Sequence, residues 1–552
     1  MNDAQDVAQD VGQTVAQTVG RTLVEAGIRQ AFGVVGSGNF AVSNAMVAAG
    51  ARFVTTRHEA GATTMADAYA RLSGEVAAVT VHQGCGFTNT LTGLTEAAKS
   101  RTPLVVVAAD VTEERSNFYV DQEAIARAVG AVPITVDDPA RAYAAAVTAV
   151  RTARADRRTV VLNLPISVQA NEVPEDRVVP SDDGPPISVA DGAVERFAAL
   201  LETAEAPVFV AGRGARGARR ELEQLAEHTG ALLATSAVAR GLFEGSPWSL
   251  DVSGGFASPL AAELIEASDL VVGWGCALNM WTTRQRALVG PGATVVQVDL
   301  DPTAPGRHLP VDLGVHGDVA EVADRVRGLV TARPGRRSDE LRDRIAAGIR
   351  WRDVPYEDLS TDDEIDPRTA TVLLDDLLPS ERVVSIDSGN FMGYPSMFLS
   401  VPDERGFCFT QAYQSIGLGL ATAVGAALAQ PHRLPVAALG DGGALMGISE
   451  LETVVRLGIP LVVVVYNDAA YGAEVHHFGP SGDDLSLVRF PPTDVAAIAR
   501  GYGFDAATVR RPADLDAVAA WLAGDRSRPL LVDLKVVRSE PSWWLEEAFR
   551  GH

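Results

Sequence analysis

"GDGGALMGISELETVVRLGIPLVVVVYNDAAYGAE", residues 440–474, decides how the rest of the chain is read. The run before it, "PVAAL", is a buried strand that ends on Gly440-Asp441-Gly442-Gly443. A helical stretch, "ISELETVVRL", and a second apolar strand, "PLVVVVY", follow, and that strand ends on Asn467-Asp468. In an open parallel sheet, ligands sit outside the carboxyl ends of the strands. A strand–helix–strand unit brings two such ends side by side, so Asp441 and Asp468 should meet at one edge. Two carboxylates there repel unless a cation lies between them. Hard oxygen donors beside glycines that admit a phosphate suit Mg²⁺.

The rest of the chain repeats this alternation. Apolar runs that read as strands include "QAFGVVG", "VAAVTVH", "PLVVVAAD", "TVVLNLP", "APVFVAG", "ALLATS", "DLVVGWG", "TVVQVDL", "RVVSID" and "PLLVDLKVV", with amphipathic segments between them. Near-continuous apolar strands separated by helices indicate parallel sheets covered on both faces. A length of 552 residues calls for about three such units. Two stretches break the rhythm. One is the Pro/Asp-rich 173–192 and the other the charged 331–367, both read as connectors. The expectation is an α/β protein of three successive doubly wound parallel-sheet domains, at 1–180, 193–335 and 365–540, the middle one Rossmann-like.

A formal charge of −24 argues against nucleic acid or an anionic membrane surface as the partner. Three scattered cysteines give no disulfide framework and point to a reducing compartment. The first twenty residues lack the basic and apolar regions of a signal peptide, and no run is long enough to span a membrane. A cytoplasmic protein is expected.

A second motif, "TTRHEAGATTMADAYARLSG" (55–74), reads as a helix. Glu59, Ala62, Ala66 and Tyr69 share one face, and Thr63, Asp67 and Arg71 another. A carboxylate on an apolar stripe must be paired or held neutral. Together these motifs resemble those of the thiamine-diphosphate-dependent enzymes, the group of acetolactate synthase, pyruvate decarboxylase and benzaldehyde lyase. The resemblance covers nearly the whole chain.

It implies roles residue by residue. Glu59 would exchange a proton with the cofactor's pyrimidine N1′. Asp441, Asp468 and the Ala470 carbonyl would hold Mg²⁺, with a one-position shift to Asn467 left open. Gly440, Gly442, Gly443, Tyr471 and Gly472 would border the diphosphate, and "IDSGNF" (386–391) would offer it Gly389, Asn390 and Phe391. From "QAYQSIGLGLATAVGA" (411–426), Ile416 would wedge between the cofactor's rings and the Gln414 carbonyl would accept from its 4′-amino group; core packing is the other reading of Ile416. "QGCGFTN" (83–89) would set Gly84 and Gly86 beside the substrate, with Gln83 and the preceding His82. Gln122, Glu474 and His476 are further pocket candidates. The family arrangement implies a homodimer or homotetramer.

The resemblance also implies a reaction class. A 2-oxo acid would lose CO₂, and the remaining fragment would be protonated or joined to a second carbonyl, an aldehyde or ketone. Both outcomes stay open. Gly212-x-Gly214-x-x-Gly217 matches the dinucleotide fingerprint, which keeps a flavin oxidoreductase of the pyruvate oxidase type as an alternative. No acidic residue ends the following strand, so an emptied scaffold is expected rather than FAD or NAD. Arg213 and Arg216 read either as an ADP-holding pair or as solvated surface. A non-catalytic cofactor-binding homologue is the remaining alternative.

Overall fold

The computed structural model describes residues 12–174 and 188–548. Most of the first connector and the first eleven residues lie outside the described residues. Eighteen strands among those described form three six-stranded, all-parallel sheets. The N-terminal sheet holds β1 (Gln30–Gly33), β2 (Arg52–Thr55), β3 (Ala77–Val81), β4 (Leu104–Asp110), β5 (Val132–Thr135) and β6 (Thr159–Pro165). The central sheet holds β7 (Pro207–Ala211), β8 (Leu232–Thr235), β9 (Ser249–Val252), β10 (Leu270–Trp274), β11 (Thr294–Asp299) and β12 (Leu313–His316). The C-terminal sheet holds β13 (Arg382–Ile386), β14 (Phe407–Phe409), β15 (Leu434–Gly440), β16 (Val462–Asn467), β17 (Asp505–Val509) and β18 (Leu530–Lys535).

The outer two sheets share one topology. Their orders, β2-β1-β3-β4-β6-β5 and β14-β13-β15-β16-β18-β17, are the same once each is numbered from its own first strand. The central sheet differs, running β12-β11-β10-β7-β8-β9. Numbered likewise, this is the 3-2-1-4-5-6 order of dinucleotide folds. The Rossmann-like expectation therefore holds at the level of strand order.

One hydrophobic core runs through both outer domains. The helix Glu59–Ser73 lies against the helix Gly419–Ala429, and Met65, Leu94, Leu420, Val424 and Val454 belong to a single buried cluster. The approach is close enough that a Cβ on Gly425 would stand 2.2 Å from the Met65 carbonyl oxygen. Helix Glu59–Ser73 starts on His58, whose Nδ1 accepts from the Ala60 N–H at 3.1 Å, and ends on left-handed Gly74. Its Thr63–Asp67–Arg71 face is as deeply buried as its apolar face. There Arg71 forms ion pairs with Asp67 at 2.6 Å and Glu96 at 2.7 Å, which lets a guanidinium stay in the interior.

The reading of 331–367 as a connector needs correction. This stretch contains the helix Asp339–Gly348, capped by Ser338, and Ile345 packs with Leu341 and Ile349 into one face of the central domain. Its apolar residues are few but spaced to face inward, which charge content alone conceals. Trp351 then anchors the chain against Phe398 and Trp543 of the C-terminal domain.

Candidate active site

The carboxyl ends of β13, β15 and β16 open into a cleft of about 280 Å³. Gly389, Asn390 and Phe391 form its wall at the end of β13, in a short 3₁₀ turn. Phe391 stacks on Tyr466 with ring centroids 5.5 Å apart. Asn390 holds the C-terminal segment: its Oδ1 accepts from the Ser542 N–H and its carbonyl from Trp544 Nε1, both at 3.0 Å. Trp544 consequently lines the cleft beside Trp281 of the central domain.

The glycine run is not an open turn. Asp441 begins a short helix, Asp441–Met446, directly at the strand end. A Cβ on Gly440, Gly442 or Gly443 would come within 3.0 Å of the Phe391 ring, 3.0 Å of the Tyr471 ring, or 2.3 Å of Asp387 Oδ2. A side chain at Gly443 would have to displace Asp387, and one at Gly440 or Gly442 would press on the Phe391 or Tyr471 ring, so the glycines keep the cleft floor thin.

Asp441 and Asp468 both line the cleft and face each other. Burial, and for Asp468 the neighbouring Asp441 charge, holds both carboxyls well above the usual carboxylate range. Asp468 Oδ1 also accepts from the Ala470 N–H at 3.1 Å. Ala470 sits in an isolated bridge to Arg489 whose hydrogen bonds run from Tyr471 and Phe490, leaving the Ala470 carbonyl outside that pairing. Two carboxylates and a carbonyl are a hard-oxygen donor set that fits Mg²⁺. Among the described residues no group of three or more His, Cys, Asp or Glu side chains could hold a metal instead. Asn467 is turned into the sheet, where its Nδ2 donates to Asp533 Oδ1 at 2.9 Å.

Tyr471, Gly472 and Glu474 line the same cleft, Glu474 from the helix Gly472–Phe478. His476, on that helix, is half-buried and does not line the cleft. Burial pushes its imidazole below the usual range. Gln414 lines the cleft with its backbone at φ +58°, a left-handed conformation rare for a residue with a side chain. Ile416 is 42% exposed and projects into the cleft, so the core-packing reading of it is corrected.

The N-terminal candidates gather elsewhere. Glu59 is only 9% exposed, and its Oε2 accepts from Asn89 Nδ2 at 3.0 Å, which supplies the pairing its burial demands. Gly86 lies against its other oxygen, and His82 packs beside Gly86. His82 Nε2 stands 3.4 Å from Ser37 Oγ, while Gln83 is buried with its Oε1 unpartnered. Gln122 is buried at a helix start, its Nε2 donating to the Ala109 carbonyl and to Asp110 Oδ1, both at 2.8 Å. None of these residues lines the C-terminal cleft of the same chain.

In the central domain, the Gly212 and Gly214 N–H groups donate to the carbonyls of Trp274 (2.8 Å) and Gly275 (3.1 Å), so the fingerprint glycines join two strand-end loops. Neither arginine is solvated surface. Arg213 donates to the Ser100 carbonyl, and Arg216 to the carbonyls of Arg71 and Val238 at 2.6 Å each, tying the central domain to the N-terminal one. Sequence reasoning missed Asn89, Glu96, Asp387, Trp281 and Trp544. Asn89 and Asp387 lay within motifs already singled out, "QGCGFTN" and "IDSGNF"; the other three did not.

Fold and cleft together define a three-domain α/β protein whose outer sheets carry a carboxylate-lined cleft and a separate buried glutamate. Comparison with known proteins gives the family. Residues 13–131 match the thiamine pyrophosphate enzyme N-terminal TPP binding domain, 194–326 its central domain and 387–534 its C-terminal TPP binding domain. The chain is 30% identical to a sulfoacetaldehyde acetyltransferase of Rhodobacter capsulatus over 81% of each chain. It is 26% identical to the acetolactate synthase isozyme 3 large subunit of Escherichia coli over 94% of each. An acetolactate synthase large subunit of Parasynechococcus marenigrum is 28% identical, over 89% of this chain and 81% of that one. The chain belongs to the thiamine pyrophosphate (thiamine diphosphate) enzyme family. No helix among the described residues is long and apolar enough to cross a membrane.

Proposed function

We propose that this enzyme uses thiamine diphosphate and Mg²⁺ to take an acyl fragment from a 2-oxo acid, with loss of CO₂, and to pass it to a second carbonyl compound. The observation that carries the reading is the single cleft in which Asp441, Asp468 and Ala470 stand beside the Gly389–Phe391 wall and the exposed Ile416. When bound, the cofactor supplies the centre that stabilises a carbanion equivalent. The chain's residues do the rest. Asp441, Asp468 and the Ala470 carbonyl hold the cation, the amides of Gly389 and Asn390 meet the diphosphate, and Ile416 and Gln414 orient the rings.

Glu59 holds and moves the proton at pyrimidine N1′. That no residue of the N-terminal group lines its own chain's cleft supports a reading in which Glu59 of the partner subunit handles that proton and the working unit is a homodimer or a larger assembly. His82 and Gln83 accompany Glu59 at the end of β3 and contact the substrate. Names among the relatives, acetolactate synthase and sulfoacetaldehyde acetyltransferase, support transfer over simple protonation. One feature favours protonation as a second reading: Glu474 places a carboxyl in the cleft from the helix after Asp468.

The test is a panel of 2-oxo acids with Mg²⁺ and thiamine diphosphate, with and without aldehyde acceptors, scored for CO₂ and for ligated product. CO₂ release with product only when acceptor is present supports transfer. Free aldehyde without acceptor supports protonation at Glu474. No CO₂ from any 2-oxo acid overturns the reading.

A further inference from the structure

The segment 410–418, between β14 and the helix Gly419–Ala429, presents Gln414 and Ile416 to the cleft, yet little packing supports its middle, between buried Gln411 and Leu418. It is a partition: Gln411, Ala412 and Gln414 line a second cavity where the three domains meet, and Gln414 and Ile416 line the cleft. Ala412, Tyr413, Gln414 and Ile416 are all exposed. Gln414 is held at φ +58° and Gly417 at φ +91°. A left-handed glutamine persists only where its surroundings over-determine it.

Two buried carboxylates supply that constraint, one at each end. Glu96, 1% exposed and from the N-terminal domain of the same chain, accepts the Ala412 N–H at Oε1 (3.0 Å) and the Tyr413 N–H at Oε2 (2.6 Å). Arg71 Nη2 neutralises it at 2.7 Å, and Arg71 Nη1 donates to the Phe409 carbonyl at 2.9 Å, just upstream of the loop. Asp387, 0% exposed, accepts the Gly417 N–H at 3.1 and 3.0 Å from its two oxygens and the Ser388 N–H at 2.8 Å. It sits in a socket that only glycines permit. A Cβ on Gly443 would lie 2.3 Å from its Oδ2, and one on Gly419 would lie 2.6 Å from its Cβ.

We propose that Glu96 and Asp387 are positioning residues that stretch the 412–417 loop between two domains, holding Gln414 and Ile416 in the cofactor-binding arrangement before the cofactor arrives. The inference rests on the functional reading above, because it takes the cleft as the thiamine diphosphate site. Both residues act through the loop backbone and neither lines the cleft. A carboxylate suits the task because it offers acceptors only. The amide of Gln or Asn would turn an N–H against the loop's own N–H groups.

The test compares wild type with Glu96→Gln and Asp387→Asn in two measurements. In cofactor-free protein, hydrogen exchange should show the Ala412 and Tyr413 amides protected in wild type and exposed in Glu96→Gln, with Gly417 exposed in Asp387→Asn. With Mg²⁺ present, titration of thiamine diphosphate against tryptophan fluorescence should show affinity falling about 10- to 100-fold in each variant, as expected for lost hydrogen bonds to a charged group. The KM for the 2-oxo acid should move far less. Adding Gln414→Gly to Glu96→Gln removes the left-handed strain and should restore part of the affinity. Should Asp387→Asn not fold, Glu96→Gln and the double variant still decide the matter. Unchanged exchange or unchanged cofactor affinity in Glu96→Gln overturns the proposal. So does a loss that falls equally on cofactor and substrate with no rescue by Gln414→Gly. Wild type that binds no thiamine diphosphate overturns the functional reading itself, and with it this inference.

Discussion

The N- and C-terminal sheets have the same strand order but put opposite chemistry at matching strand ends. At the end of the third strand the C-terminal sheet carries Asp441 among glycines, and the N-terminal sheet carries His82 and Gln83. Near the end of the fourth strand stand Asp468 and Asp110. Asp110 is closed off: its Oδ1 accepts from Gln122 Nε2 and from the Val111 N–H, both at 2.8 Å. Asp468 instead faces Asp441 across an open cleft. After the second strand, one domain starts the helix that begins with Glu59, and the other builds the 410–418 loop before its own helix. Those two helices pack on each other. On the proposed function, one topology would supply a cation end and a proton-handling end. What the structure shows is that an amide meets the fourth-strand aspartate in one sheet and a second carboxylate in the other.

Perturbing each half should separate these roles. The largest effect is expected at the proton-handling end. Glu59→Gln should lower kcat by about 10²- to 10⁴-fold, the range for loss of a general acid–base group, with cofactor binding retained. Steady-state rates beside a cofactor titration check it. Next, Asp468→Asn should weaken Mg²⁺-dependent thiamine diphosphate binding by roughly 10- to 100-fold, since each tenfold is about 1.4 kcal/mol. Calorimetry at fixed Mg²⁺ measures this.

A pH effect of intermediate size should mark the same end. Asp441 and Asp468 keep protons in the folded, metal-free chain at pH values where the unfolded chain has already lost them. Their contribution to metal-free stability therefore falls as pH rises from the ordinary carboxylate range toward neutrality. A bound cation replaces those protons. The gain in Tm from Mg²⁺ with thiamine diphosphate should be small near about pH 5 and grow toward about pH 7.5. A gain that is flat or shrinks with pH would contradict the assignment. The smallest functional effect belongs to the closed aspartate. Gln122→Ala should cost stability by about 1 to 3 kcal/mol, because it strips Asp110 of a buried donor, yet leave the Mg²⁺ requirement untouched. Denaturant unfolding and a Mg²⁺ titration together test that.

Much of this was legible in the sequence. Twelve strands announced themselves as apolar runs, and the six that did not, β2, β5, β9, β12, β14 and β17, are the six sheet edges among the described residues. An edge strand has a neighbour on one side only and is less completely buried, as in the alternating β12 and the half-buried β5, so its apolar signal is diluted. Asp441, Asp468 and the glycines beside Asp441 were legible because glycines, aspartates and strand ends follow local rules, whereas the Gly389–Phe391 wall, Gln414 and Ile416 were named only through the family resemblance. Glu96 was not: it sits in an ordinary helix, and its partners Ala412 and Tyr413 lie more than 300 positions away. The solvated-surface reading of Arg213 and Arg216 failed for a similar reason, since their acceptors are the distant backbone carbonyls of Ser100 and Arg71, which leave no trace in side-chain pattern.

The most direct test replaces Mg²⁺ with Mn²⁺ in crystals grown with thiamine diphosphate and locates the metal by anomalous scattering. A single peak between the Asp441 and Asp468 carboxylates, within coordination distance of the Ala470 carbonyl and of the diphosphate, is the predicted result. Diphosphate bound in the cleft with no metal between these two aspartates, or a metal held anywhere else, would contradict the account.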